Sequence, residues 1–259
     1  MIIKLSQHIV ELESMKKYPK ELYSIGDLTL LTRPKVSMVG TRRPSSYTKQ
    51  LTQLLTQALV KRGVCMVSGA AMGVDAIVHS SAGANNTIAV VANSLDIRYP
   101  SVNRFLIESI EQEGLVLSQF PVTTKAAPWS FVIRNELVVA LGDILIVTEA
   151  DKDSGSMRSV EFALKMGKKI YVLPHRINES LGTNELIEKG MAEPIYDVEK
   201  FANLYGTVPQ NQEIEKDEFF YFCQTSPTLD SAVKKYEDRV YEAELEGLIT
   251  IENGLIQLV

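Results

Sequence analysis

The chain has 259 residues, 45% hydrophobic and 23% charged, enough apolar material for a sizeable core, which excludes a disordered polypeptide. Two cysteines, Cys65 and Cys223, exclude a disulfide framework or a zinc site. No apolar run reaches the ~20 residues of a membrane span, and Met1–His8 lacks the apolar core of a secretory signal, so the expected location is cytoplasmic. The net charge of −5 is unevenly spread: residues 211–259 carry 11 acidic and 4 basic groups, residues 1–210 carry 21 and 23. The body can therefore present a basic face, whereas the tail is a poor holder of a polyanion.

Taken in order, residues 1–34 are a short lead-in, and Tyr18–Gly26 reads as a loop followed by a turn. Residues 35–205 then alternate strand and helix. Strands are predicted over Lys35–Val39, Val64–Val67, Thr87–Val91, Leu115–Leu117, Ile144–Thr148 and Ile170–Leu173. Helices are predicted over Tyr47–Arg62, Val74–Ala82, Val102–Glu113, Glu136–Leu141, Met157–Met166 and Asn184–Lys189. Short, wholly apolar strands separated by helices imply an α/β domain with a parallel sheet covered on both faces, joined by right-handed crossovers. Residues 206–212 read as a linker. The tail, 214–259, reads as two or three helices and a hairpin around Asn253-Gly254, a strong hairpin signal. That order suggests a compact winged-helix-like module. Such modules often read DNA, but the acidity of this one favours a protein contact or a purely structural role.

Four stretches carry chemistry. The first strand ends in Gly40-Thr41-Arg42-Arg43-Pro44. Gly40 lets a ligand approach the backbone, Thr41 supplies a hydroxyl, and Arg42 and Arg43 supply permanently charged forks suited to phosphate. The bland alternative is a tight turn with solvated arginines. The second stretch is Ser68-Gly69-Ala-Ala-Met72-Gly73-Val-Asp75, a glycine-rich turn at a helix N-terminus, which attracts anions. Its spacing matches neither the dinucleotide nor the P-loop fingerprint, so no cofactor is indicated. Asp75 reads as a first-turn carboxylate favoured by the helix dipole, and His79, four residues on, as its structural partner.

The third stretch, Lys125-Ala-Ala-Pro-Trp129-Ser-Phe131-Val-Ile-Arg134-Asn135-Glu136, interleaves cations and aromatics in an expected loop, a combination single-stranded nucleic acid needs. Trp129 and Phe131 are read as core plugs; Arg134 and Asn135 as functional, against the alternative that Arg134 pairs with Glu136 or Asp143. The fourth, Ser154-Gly155-Ser156, follows a strand and opens a helix, another anion-binding turn with added hydroxyls. Lys165, Lys168 and Lys169 read as a solvated helix end. No order of Ser, His and Asp supports nucleophilic catalysis.

Val36-Ser-Met-Val-Gly-Thr-Arg-Arg-Pro, Ser68-Gly-Ala-Ala-Met-Gly-Val-Asp-Ala-Ile-Val-His, Leu95-Asp-Ile-Arg-Tyr-Pro, Phe131-Val-Ile-Arg-Asn, Ser154-Gly-Ser and Gly182-Thr-Asn-Glu-Leu-Ile-Glu-Lys-Gly occur in one series. Together they resemble the DprA/Smf family, the DNA-processing proteins of natural transformation, over residues 18–200. The resemblance implies an extended Rossmann-like, doubly wound domain that binds single-stranded DNA, forms a homodimer and helps load the RecA recombinase, without enzymatic activity. It places Gly40, Thr41 and Arg42 in one phosphate-binding turn and Ser68, Gly69 and Gly73 in a second. Arg134 and Asn135 then lie over the strand, with Ser154, Gly155 and Ser156 opposite. Met72 and Glu136 depart from the family pattern by standing where basic residues are usual, and Lys125 and Arg43 are the residues that can compensate. A rival reading comes from nucleotide phosphoribohydrolases of the related fold, whose glycine-rich turn and helical Glu are loosely echoed by Ser154–Glu161; a non-catalytic nucleotide sensor is a third.

Overall fold

The computed structural model describes residues 1–206, 218–223, 225–245, 248–252 and 254–258. They form two compact units, divided between Thr207 and Val208. Of the expected linker, only Gly206 lies within the described residues.

In the first unit the strands are β1 (Ile3–Lys4), β2 (Tyr23–Gly26), β3 (Lys35–Val39), β4 (Cys65–Ser68), β5 (Thr87–Val90), β6 (Leu115–Ser118), β7 (Ile144–Val147), β8 (Ile170–Val172) and β9 (Glu193–Pro194). The helices are α1 (Ser46–Val60), α2 (Val74–Ala82), α3 (Arg104–Glu113), α4 (Pro128–Leu141), α5 (Gly155–Lys165), α6 (Leu181–Glu188) and α7 (Val198–Ala202). All nine strands join one sheet in the order β1-β2-β6-β5-β4-β3-β7-β8-β9. The seven from β6 to β9 are parallel, and β1 and β2 are antiparallel at one edge.

The strands are apolar throughout because both sheet faces are covered. Successive side chains alternate between two cores: Cys65 and Val67 join Leu137–Leu141 and Val160 on one face, while Met66 joins Leu55, Leu59, Val74 and Val78 on the other. Burial pushes the Cys65 thiol up to about 12.

The chain lays β3, β4, β5 and β6 outward in one direction, then returns to place β7 on the opposite side of β3. The strand order therefore reverses between β3 and β7. In open α/β sheets, ligands bind in the crevice at the carboxyl ends of the strands at such a point.

Three local readings change. Tyr18–Gly26 is not only loop and turn: β2 lies within it, pairing Tyr23 opposite Ser118 and Gly26 opposite Leu115. Its alternation of Tyr23 and Ile25, which pack on one core, is too short to declare a strand by itself, and backbone pairing with β6 completes it. Secondly, α4 begins at Pro128 rather than at Glu136. Proline suits the first helical position, and the Ala127 N–H donates to Ser130 Oγ at 2.9 Å. Trp129 to Asn135 are therefore helical, so Arg134 and Asn135 sit on a rigid element. Thirdly, Lys168 is not solvated, since its Nζ donates to the carbonyls of Ala140 and Gly142 at the end of α4.

The lead-in is also tied down by charge. Buried Lys35 pairs with Glu11 at 2.6 Å and donates to the carbonyls of Leu31 and Arg33. Glu136 accepts from the backbone N–H of Lys16 at 2.9 Å, so it anchors this segment to α4.

The second unit contains α8 (Glu218–Cys223), α9 (Leu229–Tyr236), α10 (Arg239–Leu245) and a hairpin of β10 (Ile249–Glu252) and β11 (Leu255–Leu258). Phe219, Cys223, Ala232, Val240, Ala243, Ile249 and Ile256 form its core. The Thr228 hydroxyl caps α9 by accepting from the Ser231 N–H. Asn253 of the expected turn lies outside the described residues; Gly254 follows at φ +76°. Among the described residues of the whole chain, no helix is long and apolar enough to cross a membrane.

Candidate functional site

Three strand-to-helix turns meet at the reversal between β3 and β7, and the Gly40 turn is laced to both others. The Thr41 N–H donates to the Glu149 carbonyl after β7 at 2.8 Å, and the Thr41 carbonyl accepts from the Val74 N–H at the start of α2 at 3.1 Å. A Cβ on Gly40 would lie 2.6 Å from Val74 Cγ2 and 2.8 Å from Thr148 Oγ1, so no other residue fits. The Ser45 N–H and hydroxyl both donate to the Glu149 carboxylate at 3.0 Å, which fixes the start of α1.

The Gly69–Gly73 turn is held by side chains from three directions. Ala70 sits at φ +56°, a conformation that costs free energy unless its surroundings over-determine it. Its N–H donates to His79 Nε2 at 3.2 Å. The Ala71 N–H donates to Asp75 Oδ2 at 3.3 Å, and Asn103 Nδ2 donates to the carbonyls of both Ala70 and Ala71 at 3.0 Å. His79 thus bonds the turn rather than Asp75, as its ring faces β5 instead of running along α2.

The bonds around His79 also set its tautomer. Since Nε2 accepts, Nδ1 carries the proton and donates to Thr87 Oγ1 at 2.7 Å, whose hydroxyl donates to the Met66 carbonyl. Burial of the neutral ring, with a smaller push from Arg134, pulls the imidazole from 6.5 down to about 3. A depressed value means that the unfolded chain takes up this proton first. His79 therefore leaves stability whole above 6.5 and erodes it as pH falls toward about 3, by roughly 1.4 kcal/mol per pH unit. Urea melts across that range should show a steeper acid loss in the parent than in His79→Gln; equal slopes would contradict a buried neutral imidazole.

Gly73 completes the turn at φ +80°, ψ −127°, a region open essentially to glycine. An added Cβ would meet the Thr41 carbonyl and lie 2.6 Å from the Arg42 carbonyl carbon. Gly73→Ala is expected to cost about 1–3 kcal/mol from backbone strain, with further loss from the clash. Gly155→Ala is the control, because nothing lies within 4 Å of its Cβ position. Denaturant midpoints of the two variants separate these outcomes.

The turns and α4 enclose a cleft of about 450 Å³. Its walls include Gly40, Thr41, Arg42, Ala71, Phe131, Asn135, Ser154, Gly155 and Ser156, and its floor includes Asp75, Arg134 and Ser159. Arg134 is only 5% exposed. Its Nη1 donates to the carbonyls of Gly69 and, at 3.1 Å, Val90, and lies 3.9 Å from Asp75 Oδ2. Its partner is thus Asp75, not Glu136 or Asp143. Burial pushes the Asp75 carboxyl up, against the pull of Arg134 and its hydrogen bonds. Burial also lowers Arg134, opposed by Asp75 and reinforced by the neighbouring charge of Arg42.

Arg42 is exposed at the mouth, its guanidinium carbon 5.3 Å from the centre of the Phe131 ring. Among the described residues, the charged groups lining the cleft are Arg42, Arg134 and Asp75, a surplus of one positive charge. On the far wall, Asn135 Nδ2 donates to the Gly155 carbonyl at 3.3 Å and joins α4 to the start of α5. The first N–H groups of α5 lack partners within the helix, and the helix's N-terminal residues Gly155 and Ser156 line the cleft, placing the positive end of its dipole where an anion is favoured.

The structure thus gathers Gly40, Thr41, Arg42, Arg134, Asn135, Ser154, Gly155 and Ser156 around one cleft. Gly69 lines a narrow slot beside it. Gly73 shapes the turn from behind. Ser68 is fully buried, its hydroxyl donating to the Met38 carbonyl at 2.7 Å, so it supports β4 against β3 and does not line the cleft. Arg43 and Lys125 are exposed and lie outside the lining.

Phe131 and Trp129 are not core plugs. Phe131 forms a wall of the cleft, and Trp129 is 56% exposed on the first turn of α4, its ring edge-on to Phe120. Two residues apart on a helix, they point to different sides, Phe131 toward the cleft and Trp129 toward solvent. Ser159 and the pairing role of Asp75 carried no local signal. Glu161 pairs with Arg158 at 2.9 Å and does not line the cleft. Among the described residues, no group of His, Cys, Asp and Glu is placed to hold a metal ion.

Comparison with known proteins agrees with this architecture. A family model described as DNA recombination-mediator protein A matches residues 2–206. Protein Smf of Synechocystis is 38% identical over 187 residues, 70% of this chain and 47% of that protein; the chain spans about half that relative's length. DNA processing protein DprA of Bacillus subtilis is 32% identical over 202 residues, 76% of this chain and 68% of that one. A structure reporting the single-stranded DNA binding mode of DNA processing protein A from Helicobacter pylori superimposes with a TM-score of 0.77 at 43% identity, covering 79% of this chain and 95% of that one. The DprA structure from Streptococcus pneumoniae gives 0.73 at 29% identity, covering 80% and 75%. With the family model running through the whole nine-stranded unit, the chain belongs to the DNA recombination-mediator protein A family.

Proposed function

We propose that this protein binds single-stranded DNA through the cleft between β3 and β7. We extend the reading to a cytoplasmic homodimer that acts in natural transformation and helps load the RecA recombinase, without catalysing a reaction and without a cofactor. The observation that carries the DNA reading is the cleft itself. Two guanidinium groups face one carboxylate, beside three backbone turns and the ring of Phe131. Cations and backbone donors suit phosphate, and an aromatic wall suits an unpaired base, whose faces are hidden in a duplex. The single-strand binding reported for the Helicobacter pylori neighbour points the same way. The RecA and homodimer parts follow from the family resemblance.

We read the second unit as a winged-helix-like module with a protein-contact or structural role, because residues 211–259 carry a net −7 and repel phosphate. The phosphoribohydrolase alternative loses its acid/base candidate, since Glu161 stands outside the cleft. The test is a titration with single-stranded and duplex DNA of one sequence at several salt concentrations. Single strands should bind more tightly, with log K falling by about 0.7 per neutralised phosphate for each tenfold rise in salt. Equal affinity for the two forms would sink the reading, and release of a free base from a nucleoside monophosphate would restore the enzyme.

A further inference from the structure

Beside the main cleft runs a narrow slot lined by Arg42, Gly69, Ala71, Met72, Ala92, Asn93, Tyr99, Pro100 and Phe131. The two share Arg42, Ala71 and Phe131, so only this partition divides them. Their chemistry differs. Aspartate, asparagine and serine side chains line the main cleft, whereas the slot's rim is apolar: Tyr99 is 47% exposed and Met72 46%. The Tyr99 and Phe131 rings lie 6.3 Å apart, tilted by 54°, and the Arg42 guanidinium stands over the other end of this aromatic pair. A half-exposed tyrosine and methionine at a slot mouth offer a flat ring and a polarisable thioether, both good surfaces for a nucleobase.

We propose that the cleft and the slot take consecutive nucleotides of one strand, the second base stacking on Tyr99 and Met72 and Arg42 gripping the phosphodiester between the two. The inference rests on the single-strand reading of the main cleft. It follows from placement: the one exposed cation shared by both recesses is where the link between two nucleotides must cross. The slot itself is too narrow to swallow a base, so the base lies against its rim.

Full-length parent, Tyr99→Ala and Tyr99→Phe are titrated with a short oligothymidylate at several salt concentrations, with thermal midpoints recorded in parallel. Stacking is worth about 1–3 kcal/mol per base, so Tyr99→Ala should bind roughly tenfold more weakly. Tyr99→Phe should recover the parent affinity, because the ring and not the hydroxyl makes the stack. The salt slope should be the same in all three, since no phosphate contact is removed. If Tyr99→Ala lowers the thermal midpoint, Met72→Ser carries the test, its side chain being half-exposed, and it should also weaken binding at unchanged slope. Parent-like affinity in both variants, or a loss accompanied by a shallower slope, overturns the stacking site while leaving DNA binding in the main cleft intact. Failure of the parent itself to bind the strand removes instead the reading on which this inference rests.

Discussion

Arg134→Met is expected to lower the unfolding free energy by about 3–5 kcal/mol, the usual result of removing one member of a buried ion pair. Arg134 and Asp75 are both almost fully enclosed, and the methionine would fill the space of the arginine stem while leaving the Asp75 carboxylate without its counter-charge. The carbonyls of Gly69 and Val90 lose a donor at the same time. The loss should depend on pH in a definite sense. Burial already holds the folded-state value of Asp75 above 3.8, and removing the guanidinium raises it further. A carboxyl raised in the folded state binds its proton more tightly there, so its penalty is complete above the folded value and fades as pH falls toward 3.8. Urea melts of Arg134→Met should therefore approach the parent's as acid is added. Asp75→Asn in the Arg134→Met background should recover part of the loss at neutral pH, because the charge is gone and an acceptor for the Ala71 N–H remains. A destabilisation under ~1 kcal/mol at neutral pH would show that solvent reaches the pair, contrary to its burial.

The second large effect concerns binding. Arg42→Ala should lose most single-strand affinity, roughly tenfold to a hundredfold for a lost charge-assisted contact. It should leave stability within about 0.5 kcal/mol of the parent. Structure and sequence meet here: the side chain is exposed, and its guanidinium lies over the Phe131 ring, so nothing in the core depends on it. Arg42→Lys should restore only part of the affinity, because an ammonium cannot make the forked contact. The salt slope of the alanine variant should fall by one phosphate, about 0.7. A solvated arginine with no role predicts parent-like binding at every salt concentration, and that result would remove the Gly40 turn from the interface.

The sequence by itself determined the class of fold and the identity of the turns. Wholly apolar strands such as Ile144–Val147 can only be covered on both faces. Gly40 and Gly73 mark tight strand-to-helix turns; in the structure a Cβ on Gly40 would strike the Val74 and Thr148 side chains, and Gly73 adopts a φ that other residues avoid. These are local properties, written in side-chain type and spacing. A parallel sheet already sets the three turns along one edge; what only the tertiary structure decided is that they are neighbours around a single cleft. Strand order put the turns after β3, β4 and β7 together, and it depends on how crossovers of quite different lengths pack, which periodicity does not encode. Arg134 meets Asp75 across 59 positions of chain because α4 lies over the ends of β4 and β5; a loop over residues 125–135 hides that helix, which turns Phe131 to the cleft and Trp129 to solvent. Ser68, chemically apt for phosphate, was spent on holding β4 to β3, since a hydroxyl at the end of a central strand must bond within the core when no solvent reaches it. Strand β2 escaped the reading because its apolar alternation, Tyr23 and Ile25, spans only four residues, too few to stand out until pairing with β6 supplies the order.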